Sequence, residues 1–344
     1  MFKVYSLERA GRWFLNSGIQ ESSGGVARFR FADTLRNKPV STEITGYAAS
    51  ALAFLYSITN DEVYLERARA AAHFLTDRAW DATLRIFPFE LQSNRAYFFD
   101  SGIIVRGLLA VWKITKEQKL LDIALSAAHC MLTDFSSGLD YNPILELPAK
   151  TAIAREPHWS KSTGCYQTKS ALAWWEVAEI TGDDDLRQAY LNLVAQPFQD
   201  FLPGTEERLR VMDRLHAASY FLEALSPLLD RPACVEAYSF MLGRISRYLR
   251  DIAPDFARSD VYAQLLRARI YAASVIPVDV VLAREEADTL STFQRPDGGF
   301  WFGCRDGQFI PHINPVSTAF AIQALEVWRA FQDGETSPCS YPTI

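Results

Sequence analysis

Residues 41–75 read STEITGYAASALAFLYSITNDEVYLERARAAAHFL, and this stretch decides the fold. Its first half, residues 43–56, is apolar or small on nearly every side. A helix that is apolar all round is one that other protein surrounds. In the second half Leu65, Ala68, Ala72 and Leu75 recur at spacings of three and four, opposite Glu66, Arg67 and Arg69. That period describes an amphipathic helix with one wet face. Thr59, Asn60 and Asp61 lie between the two, and Asn and Asp are residues suited to cap the second helix. The stretch predicts a helical hairpin with a buried inner arm and a half-exposed outer arm.

The unit recurs along the chain. Residues 5–17 form a short amphipathic helix with Leu7, Trp13, Phe14 and Leu15, followed by a loop that reaches the first inner helix. The outer helix spans residues 62–80. Four more inner-outer pairs follow, beginning at DSGIIVRGLL, CYQTKSALAWW, MDRLHAASYF and SDVYAQLLRA, with outer partners that include residues 185–202. A sixth inner helix, VSTAFAIQALEVWRAF, follows the loop QRPDGGFWFGCRDGQFIPHINP, and a tail begins near residue 333. Three turns rhyme: ITNDEVYLERA, ITKEQKLLDIA and ITGDDDLRQAY. Hairpins that cannot bury their apolar faces alone must stack. An open stack needs polar end caps, and the chain offers none. The reading is therefore an all-α, single-domain (α/α)6 toroid over residues 1–344, six hairpins with mutually parallel inner helices. Residues 134–163, containing Tyr141, Lys150, Arg155, His158 and Trp159, read as a long structureless loop, a feature associated with function.

Composition narrows the classes. The net charge of -6 gives no footprint for nucleic acid. No apolar run reaches the length of a membrane span. The five cysteines share no metal-ligand or disulfide-framework spacing, so neither a metal nor another cofactor is expected. The N-terminus has charges where a signal peptide needs an apolar core, which points to a cytoplasmic setting.

In such a toroid the inner helices begin at one face. Titratable and polar residues stand at those beginnings: Glu43, Asp100, Tyr166 with Gln167 and Lys169, Asp213 with His216, Asp260 with Gln264. The adjoining loops add Trp159, Arg258, Trp301, His312 and Asn314. A concave site with convergent polar groups is the expected active site. Acids are also ordinary helix-start residues, so Glu43, Asp100, Asp213 and Asp260 read equally as caps. Their company argues otherwise: Arg258 and His216 accompany acids in otherwise apolar helices, where unpartnered charge is costly.

The segments STEITGY, FFDSGIIVRGLLAVWKIT and CYQTKSALAWWEVAEITGD resemble the six-hairpin glycosidase superfamily, in particular sugar-acting toroids found near polysaccharide genes. The resemblance covers most of the chain and implies a carbohydrate cleft at the inner-helix starts. In the unsaturated glucuronyl hydrolases of that superfamily, acids open the second and third inner helices. Asp100 matches the first; Cys165, Tyr166 and Gln167 stand where the second would be. FQRPDGGFWFG is similar to a repeat of the terpene cyclase and prenyltransferase toroids, but it occurs once and has no DxDD partner.

The expected function is glycoside hydrolysis on an oligosaccharide or polysaccharide-derived glycan. One protonated and one ionised carboxyl group do that work. Glu43, Asp100, Asp213 and Asp260 are the catalytic candidates, with Asp100 favoured as the acid. Tyr166, Gln167, Lys169, His216, Arg258, Gln264, Trp159, Trp301, His312 and Asn314 are the substrate-binding candidates. A sugar or uronate lyase or epimerase, using Tyr or His with Arg or Lys, is the alternative. A non-catalytic glycan-binding toroid and a terpenoid cyclase complete the field.

Overall fold

The computed structural model describes residues 5–138, 140–156, 159–161, 163–196, 211–335 and 342–344. His158 and residues 197–202 of the expected third outer helix lie outside them. The described parts of Gln20–Arg28 and Pro39–Gln199 form one compact unit. Those of Met1–Ile19, Phe29–Lys38 and Asp200–Ile344 form another.

In the first unit the helices are α2 (Thr42–Thr59), α3 (Glu62–Phe74), α4 (Phe98–Thr115), α5 (Gln118–Thr133), α6 (Cys165–Thr181) and α7 (Asp184–Ala195). α4 packs between α2 and α6, and α3, α5 and α7 each cover the inner helix that precedes them. The rhyming turns share one geometry. Asn60, Lys116 and Gly182 adopt left-handed backbone with φ of 55°, 58° and 75°. Each returns its N–H to a carbonyl four residues back and so ends the inner helix. Thr59, Thr115 and Thr181 then accept the N–H two residues on, and Asp61 and Asp183 cap the outer helices that follow.

Glycines set the spacing of the inner helices. A Cβ on Gly107 of α4 would strike the Gly46 carbonyl oxygen of α2. One on Gly102 would lie 2.5 Å from the Ser170 carbonyl oxygen of α6. Backbone cannot rotate aside as a side chain does. Gly107→Ala is therefore expected to destabilise the protein by about 1–3 kcal/mol, read as a lowered urea midpoint. An unchanged midpoint would mean that α2 and α4 have room to part.

The second unit contains α1 (Leu7–Asn16), α8 (Val211–Leu225), α9 (Pro232–Ile252), α10 (Ser259–Tyr271), α11 (Val280–Thr292) and α12 (Pro315–Gln332). α10 packs between α8 and α12, with α9, α11 and α1 outside them. The left-handed turn of the first unit is not repeated here: α8 leaves through a short 3-10 turn, Ser226–Leu228, and the next hairpin turns through Ala272. Gln323 of α12 donates to the Pro342 carbonyl and accepts from the Ile344 N–H, so the last residues are docked against the helix.

Short strands deliver several inner helices. β2 (Arg95–Tyr97) runs straight into α4 and pairs with β5 (Ile144–Glu146), which pairs with β6 (Thr151–Ala152). The loop expected to be structureless therefore supplies the sheet that aims α4. Its own backbone polar groups find partners in that ladder, which periodicity over two- and three-residue strands cannot reveal. In the second unit β7 (Phe256–Arg258) leads into α10, held by β8 (Gly303–Arg305) and its partner β9 (Gln308–Phe309). β10 (His312–Ile313), paired with β1 (Arg30–Phe31), leads into α12.

Candidate active site

The capping reading of the acids does not hold where the helix start is described. Ser41 caps α2, Tyr97 precedes α4 and Arg258 precedes α10. Glu43, Asp100 and Asp260 all lie inside the first turn. An acid there gains from the helix dipole.

In the first unit the close approach of α2 and α4 couples Glu43 to Asp100. Asp100 is 2% exposed, whereas Glu43 keeps part of its surface open. Burial lifts the Glu43 carboxyl to about 7, with Arg28 pulling the other way. Burial, then the neighbouring Glu43 charge, push Asp100 well above the usual carboxylate range; Arg28 offsets only part of this. Desolvation and a like charge favour the neutral acid for the same reason: each penalises the anion. Arg28 is itself fixed, bonded to Glu90 at 2.8 Å with its guanidinium 4.6 Å from the Phe89 ring centre. Gln167 of α6 donates through Nε2 to the Tyr141 carbonyl at 2.7 Å. Tyr166 sets its ring edge-on to Phe99 at 5.3 Å, and Lys169 is wholly buried.

In the second unit the centre is Arg258, which is 6% exposed. It forks onto Asp260, Nε to Oδ1 at 3.0 Å and Nη2 to Oδ2 at 2.6 Å, and reaches Asp213 Oδ1 through Nη1 at 2.5 Å. Its guanidinium lies 4.7 Å from the Phe302 ring centre. Burial alone would raise Asp260, but Arg258 beside it prevails and keeps the carboxyl below its ordinary value. His216 Nδ1 lies 2.7 Å from Gln264 Oε1 and 3.8 Å from Asp260 Oδ2. Burial, then the Arg258 charge, lower the imidazole to about 4, so it is neutral at physiological pH. Assigned from its oxygen partner, Nδ1 carries the proton and Nε2 is the basic nitrogen.

No protein-family model matches the sequence, and no curated protein matches it. Solved structures do resemble the fold. The chain superposes on cellobiose 2-epimerase from Spirochaeta thermophila with a TM-score of 0.73, over 94% of this chain and 96% of that one, at 14% identity. For a D-mannose isomerase the TM-score is 0.70, with the same coverages and 12% identity. For a family 76 glycoside hydrolase from a bovine Bacteroides thetaiotaomicron strain it is 0.67, over 95% of this chain and 78% of that one, at 11% identity. The chain has the six-hairpin glycosidase-like (α/α)6 toroid fold.

The other expected residues of this toroid are engaged in different ways. Asn314 caps α12 by accepting from the Val316 N–H at 2.8 Å. His312 packs against Phe29 and Phe31, ring centres 4.6 and 5.5 Å away. Trp301 stacks on Phe309 at 5.5 Å and lies under the Arg295 guanidinium at 4.2 Å, and it stays part-exposed. Trp159 begins a short 3-10 turn, Trp159–Lys161. No described helix of the toroid is long and apolar enough to cross a membrane.

Two features escaped the sequence reading. Arg28 stands in the loop GGVARFRF, where nothing in the pattern marks one arginine as facing the acid pair. The second feature is a buried ion pair between Glu223 of α8 and Arg267 of α10, 2.5 Å apart. A charge in the middle of each of two otherwise apolar helices was the available signal, because such charges demand partners.

Proposed function

We propose that the protein is a carbohydrate-active enzyme that hydrolyses a glycosidic bond in an oligosaccharide or polysaccharide-derived glycan. What carries this reading is the pair of acids in the first turns of the adjoining helices α2 and α4: buried Asp100, pushed well above the usual carboxylate range by burial and by Glu43, and Glu43, raised by burial to about 7. Splitting two acids in this way is how a general acid and a catalytic carboxylate are made from the same chemistry. Asp100 donates its proton to the glycosidic oxygen as the bond to the anomeric carbon breaks. Ionised Glu43 supports the attack of water on that carbon. The fold neighbours, a cellobiose 2-epimerase, a D-mannose isomerase and a family 76 glycoside hydrolase, are sugar-acting proteins and agree with the class. We read Asp213 and Asp260 as counter-ions of Arg258 rather than as acids. A cytoplasmic setting belongs to the proposal, supported by the unbridged Cys130, Cys165, Cys234 and Cys304.

The pH dependence tests the reading. Glu43 acts ionised, so kcat/KM should rise with pH through about 7. It should fall again at higher pH, where Asp100 loses its proton. The profile is to be measured on any glycan that releases new reducing ends. A rise completed by pH ~5, the place for ordinary carboxylates, contradicts the assignment.

One observation favours a second reading. His216 is neutral, oriented by Gln264 and adjacent to Arg258, an arrangement suited to taking a proton from carbon beside a carbonyl. An epimerase or isomerase of that kind changes sugar configuration or carbonyl position without creating reducing ends. His216→Gln would silence it, and solvent deuterium would enter the product.

A further inference from the structure

Two buried oxygens at the starts of α4 and α6 lack a hydrogen-bond donor among the described residues: Asp100 Oδ2 and Gln167 Oε1. Gln167 is only 1% exposed. The two first turns are in contact. Ser170 Oγ donates to the Phe99 carbonyl at 2.9 Å, and the Tyr166 and Phe99 rings meet. Buried acceptors are rarely left unpaired in folded proteins.

Gln167 cannot relieve its oxygen by turning over. Its Nε2 donates to the Tyr141 carbonyl, and the Tyr141 ring is packed against Phe98 at 5.4 Å and Trp174 at 4.9 Å. A flipped amide would set oxygen against oxygen. The local structure therefore fixes the side chain with its acceptor presented on the side away from Tyr141.

We infer that Gln167, at the start of α6 where it packs against the start of α4, forms a subsite for one free hydroxyl of the glycan, accepting its hydrogen bond at Oε1 and selecting sugars that carry a hydroxyl at that position. A hydroxyl suits the site, since it carries the donor that Gln167 Oε1 lacks. The inference rests on the reading of the acid pair as glycan machinery. A site built around one substrate hydroxyl rejects analogues that lack it far more strongly than an apolar pocket rejects a missing methylene.

The test uses the full-length protein, an array of defined disaccharides, and the mono-O-methyl ethers of whichever disaccharide is hydrolysed fastest. In the unsubstituted protein, methylation at one position should lower kcat/KM by at least about 100-fold. In Gln167→Leu the parent disaccharide should fall by a similar factor, and the penalty at that one position should shrink to within about 3-fold, with the other positions unchanged. Gln167→Met, closer in length, replaces Gln167→Leu if the latter does not give a cooperative melt. Equal methyl penalties with and without the Gln167 amide overturn the inference, leaving a buried water as the partner of Oε1. If the array is bound but not hydrolysed, hydrolysis is wrong while hydroxyl-dependent binding lost in the variant still upholds the subsite. Neither binding nor turnover overturns both.

Discussion

Asp100→Asn should lose turnover by about 10²–10⁴-fold while melting at or above the temperature of the parent protein. The two halves of that expectation have one cause. Asp100 is buried beside Glu43 and is held in its neutral form, and an amide copies the shape and neutrality of a protonated carboxyl without its acidic proton. The sign of the pH effect follows. A carboxyl whose pKa is raised on folding contributes most below its unfolded value, and the contribution is lost as pH rises through the folded value. The advantage of asparagine should therefore grow from pH ~4 toward neutrality and above. Melting curves at several pH values, beside kcat/KM on the same preparation, check both halves. A variant that unfolds with its activity loss, or one that keeps full turnover, removes Asp100 from the mechanism.

The largest effect on stability is expected at the ion pair between α8 and α10. The side chains of Arg267 and Glu223 are 0% and 1% exposed. Arg267 also donates to Gln323 Oε1 at 2.8 Å and lies 4.2 Å from the Phe320 ring centre. Removing one partner strands the other charge in a dry core. Glu223→Met should cost about 3–5 kcal/mol, whereas Glu223→Met with Arg267→Met should recover most of that loss. Urea unfolding at neutral pH measures both. A single variant that loses under about 1 kcal/mol would mean that water reaches the arginine.

How much of this was legible depended on the length scale of each signal. The inner helices were readable because residues such as Ala51 to Leu55 are buried on every side, and thirteen or more residues of this kind leave a clear pattern. The turn after each of the first three inner helices was readable from Asn60, Lys116 and Gly182, although its absence from the second unit was not. The short strands were invisible, since β2 and β5 are set by partners in distant parts of the chain rather than by their own two or three residues. For the site, position along each helix was readable but role was not. Asp100 and Asp260 occupy equivalent first turns, yet burial and then Glu43 push one well above the usual carboxylate range, while Arg258 outweighs burial and holds the other below its ordinary value. That difference comes from neighbours across helices, Arg28 among them, and no spacing along one helix encodes it.

The account depends most on which bond the acid pair acts upon. The direct measurement is release of reducing ends from a panel of defined disaccharides, with product configuration followed by NMR in the same reactions. The account predicts new reducing ends from at least one linkage, absent with Asp100→Asn and retained with a conservative change at Asp213. Sugars that change configuration or carbonyl position while the number of reducing ends stays constant, with His216→Gln the inactive variant, would contradict it.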